Sequence, residues 1–324
     1  MRILVILIKW KHVKLSSLLV SMCAALSVTA PAAAFELAHS EGTVSLPSVA
    51  SNIVTFDLSV LDSLNTLGIA VVGVPKSTYE GSLAKFNDAA VVGTLFEPDY
   101  PVLKKLNPDL IFAGGRSQKA IPKLNEIAPT AALNSNPSAF LDSFRRNNLA
   151  LAQAFQKEGQ AWKAIAAIDK NVEALHDANK GKTAAFLFVV RNNIIAHAPG
   201  DRFGYAYELA GLQSVLPAKD SKAPVTPRPK PGSPEARAAE AARAKTIASI
   251  TKAEPDWLIV LDRGAINGAK KTAADTLAKH PQLSQTQAFK QGRVFYVDPN
   301  GWYIIGGGLT NLKDITDTML GSMK

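Results

Sequence analysis

Cysteine is almost absent: Cys23 is the only one among 324 residues. It lies in an N-terminal stretch that reads as a removable leader, so the mature chain has no disulfide framework and no thiolate metal site, and its stability rests on an ordinary hydrophobic core. His39, His176, His197 and His280 show no ligand spacing, which argues against a zinc site built from side chains alone. No Gly-x-Ser-x-Gly elbow, His-Glu-x-x-His pair or phosphate loop occurs, and Gly306-Gly307-Gly308 by itself is a weak enzyme signal. Acidic residues are present, but nothing in their spacing puts two on one face for acid–base work. A dense basic face and an aromatic-studded basic motif are also missing, so nucleic acid is not an expected partner.

The first 34 residues have the order of a secretory signal: Arg2, Lys9, Lys11 and Lys14, then an apolar stretch over 18–30, then Ala32-Ala33-Ala34. That stretch is broken by serines, a threonine and Pro31, and it falls short of the roughly 20 residues that a spanning helix needs. Cleavage after Ala34 would make Phe35 the first mature residue of an exported protein. Met22 stands before Cys23 where a lipid-attachment site wants a small residue. Loss of the four basic residues takes the formal charge from +9 to +5, a modest excess that suits a small acidic ligand or an acidic surface. About 290 residues remain, enough for two domains.

What is present is an echo. Asn107-Pro108-Asp109-Leu110-Ile111-Phe112-Ala113-Gly114-Gly115-Arg116 returns as Glu254-Pro255-Asp256-Trp257-Leu258-Ile259-Val260-Leu261-Asp262-Arg263. In each copy a Pro-Asp turn launches an apolar run of buried-strand length, and an arginine falls just past its end. Ligands of open α/β sheets bind outside those carboxyl ends, so two such units suggest two similar lobes that each aim a guanidinium into a shared crevice. Arginine on both walls suits an anion.

The periodicity around the echo is α/β. Strands are expected at 43–46, 53–56, 70–74, 130–133, 183–190, 194–197 and 293–297, and helices at 58–67, 100–106, 205–209 and after Gly308. Strands alternating with helices imply a largely parallel sheet in each lobe. From Asn136-Pro137 an apolar stripe through Leu141, Phe144, Leu151, Phe155, Trp162, Ile165, Ile168, Val172 and Leu175 predicts one long rigid helix over 138–178, with only Gly159 interrupting it. Some 40 residues at 1.5 Å each span about 60 Å, the length of a connector between lobes. The expected organisation is therefore an N-terminal lobe over 35–137, the linker helix, and a C-terminal lobe over 179–324 with a basic, proline-rich loop at 217–245, whose Ala/Arg/Glu segment after Pro234 reads as a short solvated helix.

Five blocks in the same order resemble periplasmic ferric-siderophore-binding proteins of ABC importers, particularly the catecholate-binding group. They are Val92-Gly93-Thr94-Leu95-Phe96-Glu97-Pro98, the first echo, Asp201-Arg202-Phe203-Gly204, the second echo, and Asp298-Pro299 with Trp302-Tyr303 and Gly306-Gly307-Gly308. The resemblance implies that Arg116, Arg202 and Arg263 form a triad around the ligand. A ferric tris-catecholate carries a charge near −3, and planar guanidiniums meet it by Coulomb attraction and by stacking on its rings. Tyr303 matches a position where some relatives place a phenolate on iron, a hard donor suited to Fe(III); packing of Trp302-Tyr303 on the cleft wall is the competing account. Trp302 is expected to border the cleft, and Lys85 is a weaker ligand candidate on the first lobe's rim.

No resident cofactor is expected, Fe(III) entering only within the siderophore, and the expected partner is an inner-membrane ABC permease that unloads a monomer. Two features depart from the family. No histidine stands between His197 and His280 to complete an iron shell with the tyrosine, and the usual docking glutamates are replaced by Pro101 and Ala248, leaving Glu97, Asp99 or Glu254 as substitutes. A haem, cobalamin or bare-metal receptor of the same fold and a secreted α/β enzyme remain alternatives, since fold does not fix ligand.

Overall fold

The computed structural model describes residues 35–191, 193–220 and 229–323, so the expected leader, Cys23 and the centre of the basic loop lie outside the described residues. The N-terminal lobe runs β1 (Phe35–His39), β2 (Gly42–Leu46), β3 (Ile53–Thr55), α1 (Leu58–Thr66), β4 (Gly73–Val74), β5 (Ala90–Val91), α2 (Tyr100–Leu106), β6 (Leu110–Phe112), α3 (Ile121–Leu124) and β7 (Thr130–Ala131). Strands β5-β4-β3-β6-β7 form an all-parallel sheet, and β1 and β2 form a separate antiparallel hairpin. Two helices follow, α4 (Phe140–Ala154) and α5 (Glu158–Ala178). The C-terminal lobe runs β8 (Thr183–Val190), β9 (Asn193–His197), α6 (Tyr205–Ala210), β10 (Gln213–Ser214), α7 (Pro234–Ala253), β11 (Trp257–Asp262), α8 (Ala273–Lys279), α9 (Gln287–Lys290), β12 (Val294–Tyr296) and α10 (Leu309–Ser322). Its sheet is β10-β8-β11-β12, parallel, with β9 antiparallel on β8.

The echo has a structural meaning. Asn107 and Glu254 end α2 and α7 in the left-handed region, at φ 48° and 46°, and a proline then directs the chain into the sheet. The aspartate that follows ties its strand to the neighbouring one. Asp109 accepts the backbone N–H groups of Ser51 at 2.8 Å and Asn52 at 3.0 Å, and Asp256 accepts that of Thr183 at 2.8 Å. The same fastening thus sets β6 beside β3 in one lobe and β11 beside β8 in the other.

The expected single linker helix is broken. Gln156 takes φ 55° between α4 and α5, and Lys157 bonds back to the Ala152 carbonyl at 2.8 Å. The second helix folds back on the first, because Arg145 of α4 meets Asp169 of α5 at 2.7 Å. On one straight helix those residues would be about 36 Å apart. The start also differs: Asn136 caps only a local turn, through Ser138, while the first free N–H groups of α4, at Phe140 and Leu141, are taken by the Glu208 carboxylate of α6. The helix expected after the basic loop is present and longer than expected: it is the 20-residue α7, begun by the Ser233 cap and Pro234.

One continuous core joins these parts. Ile53, Phe112, Phe144, Ile168, Phe186, Leu261 and Leu312 belong to it, so one face of each sheet packs on a shared layer that includes α4, α5 and α10. The opposite faces are covered separately, by α2 and α3 in the first lobe and by α7 and α8 in the second. Among the described residues no helix is long and apolar enough to cross a membrane.

Candidate functional site

Each sheet releases an arginine at its carboxyl edge. Arg116 sits in the 3-10 turn after β6 and Arg263 in the one after β11, while Arg202 sits in the turn between β9 and α6. The three meet around Tyr303. Their guanidinium carbons lie 5.5 Å (Arg116), 4.4 Å (Arg202) and 5.5 Å (Arg263) from the centre of the Tyr303 ring, within cation–π range. The sequence-predicted triad is thus assembled from three separate parts of the chain.

Tyr303 is carried by a π-helical turn, Asn300–Ile305, closed by a Gly306 N–H bond to the Gly301 carbonyl at 2.7 Å and begun by Asp298, which accepts the Gly301 N–H. Such wide turns alter side-chain direction within one helical turn. Here Tyr303 turns to the arginines and Trp302 turns inward. Trp302 is 2% exposed and stacks on Tyr205 at 5.0 Å. It therefore belongs to the core and not to the cleft wall, and it supports the turn from beneath.

The ring of Tyr303 rests on Phe188 at 5.9 Å and Phe203 at 6.2 Å, so aromatic carbon forms the floor and cationic nitrogen the walls. Arg202 also lies 4.9 Å from the Phe203 ring. Phe203 was within reach of the sequence, as the third residue of Asp-Arg-Phe-Gly. Phe188 was not, because nothing local distinguishes it within the apolar strand β8.

The lobes touch at this place. Arg116 donates to the carbonyls of Tyr303 and Ile304, the latter at 3.2 Å, and Arg202 donates to the Tyr303 carbonyl at 3.0 Å. On the rim, Asn300 Nδ2 donates to Glu80 Oε2 at 3.1 Å, beside a cavity of about 180 Å³ lined by Tyr79, Leu83, Asp298 and Ile304 among others. Lys85 is exposed on the 3-10 turn Gly81–Asp88, with its ammonium 5.2 Å above the ring of its neighbour Phe86.

The cluster is strongly cationic. Among the described residues no carboxylate stands within ion-pair distance of Arg116, Arg202 or Arg263. Burial, and then the charge of Arg202, hold the Arg116 guanidinium below its usual range. Partial burial raises the Tyr303 phenol, but hydrogen bonding and charge from Arg263 and Arg202 outweigh it, leaving the phenol below the ordinary tyrosine value. The site therefore favours an aryl oxide over a neutral phenol. Among the described residues no group of three or more His, Cys, Asp or Glu side chains is placed to hold a metal ion.

Two α/β lobes that meet at an arginine cluster beyond the carboxyl ends of their strands are the architecture of a solute-binding protein. The chain belongs to the periplasmic binding protein family, whose profile matches residues 53–300. The petrobactin-binding protein YclQ of Bacillus subtilis is 28% identical over 276 residues, covering 83% of this chain and 81% of its own. Its crystal structure superposes with a TM-score of 0.75 at 25% identity, covering 90% of this chain and 99% of that one. The ferric-anguibactin-binding protein FatB of Vibrio anguillarum is 24% identical over 291 residues, 87% of this chain and 85% of its own. The iron uptake ABC transporter substrate-binding protein PiuA of Streptococcus pneumoniae superposes with a TM-score of 0.73 at 26% identity, covering 88% and 96%.

The docking substitutes are placed unequally. Glu254 accepts the Gln287 N–H at 2.8 Å and Asp99 caps α2 through Val102 at 3.1 Å, whereas Glu97 is exposed on the turn after Gly93 beside the exposed Phe96.

Proposed function

We propose that this protein is a periplasmic receptor that captures an anionic ferric siderophore of catecholate type and delivers it to an ABC permease in the inner membrane for iron uptake. The observation that carries this reading is the set of three guanidiniums around one aromatic ring, with no carboxylate within ion-pair distance of them among the described residues. A ferric catecholate presents aryl oxides of high negative charge, and its rings can stack on the guanidiniums as the Tyr303 ring does. Carboxylate chelates would gain the charge term but not the stacking. The names of the relatives, which bind petrobactin and ferric anguibactin, agree with a siderophore as cargo.

Entry of cargo requires the lobes to part enough to free Arg116 from the Tyr303 and Ile304 carbonyls, after which the arginines can exchange backbone oxygens for ligand oxygens. Tyr303, its phenol lowered by Arg263 and Arg202, supplies one phenolate to an iron whose chelator leaves a position open. Fe(III) is cargo here, brought by the ligand.

Titration by quenching of intrinsic fluorescence tests the reading, with ferric catecholate, ferric citrate, a ferric hydroxamate and haem in parallel. Tightest binding of the catecholate is expected. Preference for the neutral hydroxamate or for haem would refute it.

A further inference from the structure

A carboxylate one residue from Arg202 is a liability in a site for anions, because it would repel the ligand or neutralise the guanidinium. Asp201 is that carboxylate. Arg202 lies over Tyr303, at 4.4 Å, whereas Asp201 is held by two other side chains, His197 and Lys219. His197 Nδ1 lies 2.8 Å from Asp201 Oδ1, and Lys219 Nζ lies 2.9 Å from Oδ2. The same oxygens accept the backbone N–H groups of Ala198 at 3.0 Å and Phe203 at 3.4 Å.

These partners are anchored in turn. The imidazole of His197 stands edge-on to Phe186, Phe188 and Phe203, the last two of which form the floor under Tyr303. Its carbonyl accepts from the Tyr207 hydroxyl at 2.8 Å, and that hydroxyl accepts the Phe186 N–H at 2.8 Å, which ties the turn to β8. The Lys219 N–H donates to the Pro199 carbonyl at 2.8 Å. Burial raises the Asp201 carboxyl, but the bonds and charge of His197, with Ala198 and Lys219, overcome it and bring it down to about 2, so it stays ionised.

We propose that Asp201 is a positioning residue for ligand capture: held by His197 and Lys219, it fixes the turn that aims Arg202 and keeps its own charge away from the arginine cluster. The inference rests on the anionic-ligand reading above. Lys219 is more than half exposed, so its share is the smaller, and the less exposed His197 contributes most of the hold.

The discriminating measurement is a mutant cycle read as the dissociation constant for a ferric tris-catecholate. Asp201→Asn keeps the shape but can satisfy only some of the four donors. A loss of about tenfold or more is expected in the wild-type and Arg116→Ala backgrounds, with less than about twofold in the Arg202→Ala background. Equal loss in all three would show a general structural effect and overturn the proposal, as would no loss in the wild type. His197→Asn, which offers a donor near the Nδ1 position, should retain most of the affinity that His197→Leu loses. If circular dichroism shows Asp201→Asn unfolded, the exposed Lys219 decides: Lys219→Met should weaken binding severalfold and Lys219→Arg should restore it, and an unchanged Lys219→Met overturns the proposal. Should the wild type bind no anionic ferric complex, the functional reading itself falls and this inference with it, an outcome distinct from failure of the variants alone.

Discussion

Asp62 of α1 accepts the backbone N–H of Asn311 at 3.1 Å, so a side chain from the first lobe caps the last helix of the chain. The same oxygen accepts the Thr310 N–H at 2.8 Å, and a Cβ on Gly308 would lie 2.4 Å from it. This carboxylate is 1% exposed, and burial raises it to about 7 against the pull of those two bonds.

A pH dependence follows with a defined sign. The folded-state value lies above the unfolded one, near 3.9, so the folded form prefers the proton: the stability is fully present below about pH 4 and is lost as pH rises through about 7. The loss is on the order of 4 kcal/mol. Asp62→Asn can keep one oxygen on both N–H groups without the charge, and it should remove this slope while raising the melting temperature at pH 8. Denaturant midpoints measured between pH 4 and 8 for both proteins check it, and parallel curves would refute the assignment.

The arginines should contribute separately to affinity. A hydrogen bond or ion contact to a charged group is worth roughly 1.5–3 kcal/mol, so Arg116→Ala, Arg202→Ala and Arg263→Ala should each weaken binding of a ferric catecholate about tenfold or more. Arg202→Lys should fall between wild type and alanine, because it keeps the charge and gives up the planar stack at 4.4 Å from Tyr303. Wild-type affinity in all three alanine variants would remove the triad from the site.

Much of this site was legible because its cause is local. The Pro-Asp echo has one job in each lobe, and the arginine eight residues after the proline inherits its place from the strand end. What could not be read depends on distant partners. The break at Gln156 is fastened by Arg145 to Asp169, and the start of α4 by Glu208, contacts that no local pattern encodes. The apolar stripe was real, but a stripe at helical spacing serves two packed helices as well as one long one. Trp302 was misplaced for a similar reason: adjacency to Tyr303 suggests a common wall, and only the wide turn sends the two rings apart. The hairpin strand β1 was missed because Phe35 and Leu37, its two buried residues, directly follow the expected leader.

Tyr303→Phe separates the two roles of that ring. A hexadentate complex saturates its iron and needs no protein donor, so the substitution should cost it little; a tetradentate complex leaves two positions open and should lose more. Without a second ligand such as histidine nearby, the protein should also favour the saturated, strongly anionic complex, and affinity should fall with added salt, less steeply than for an exposed site. Titration of both complexes against both proteins checks this. Tight tetradentate binding undiminished by Tyr303→Phe would point to another iron-ligating residue.

The turn that carries Arg202 gives the last prediction. Gly200 has φ 85°, and a Cβ there would stand 2.1 Å from the carbonyl oxygen of Lys219. The obstacle is backbone, so no side-chain rotation relieves it, and Gly200→Ala must move either the turn or the segment at Lys219. Strain and displacement together should cost roughly 2–4 kcal/mol. Because Arg202 rides on the moved segment, affinity for the anionic complex should fall as well. Gly159 of α5 supplies the control: its φ is ordinary and a Cβ there meets nothing within 4 Å, so Gly159→Ala should leave binding unchanged and add about 0.4–1 kcal/mol of stability. Thermal melts and titrations of the two variants side by side check both effects, and a Gly200→Ala protein that melts and binds like wild type would show that the turn is free to shift.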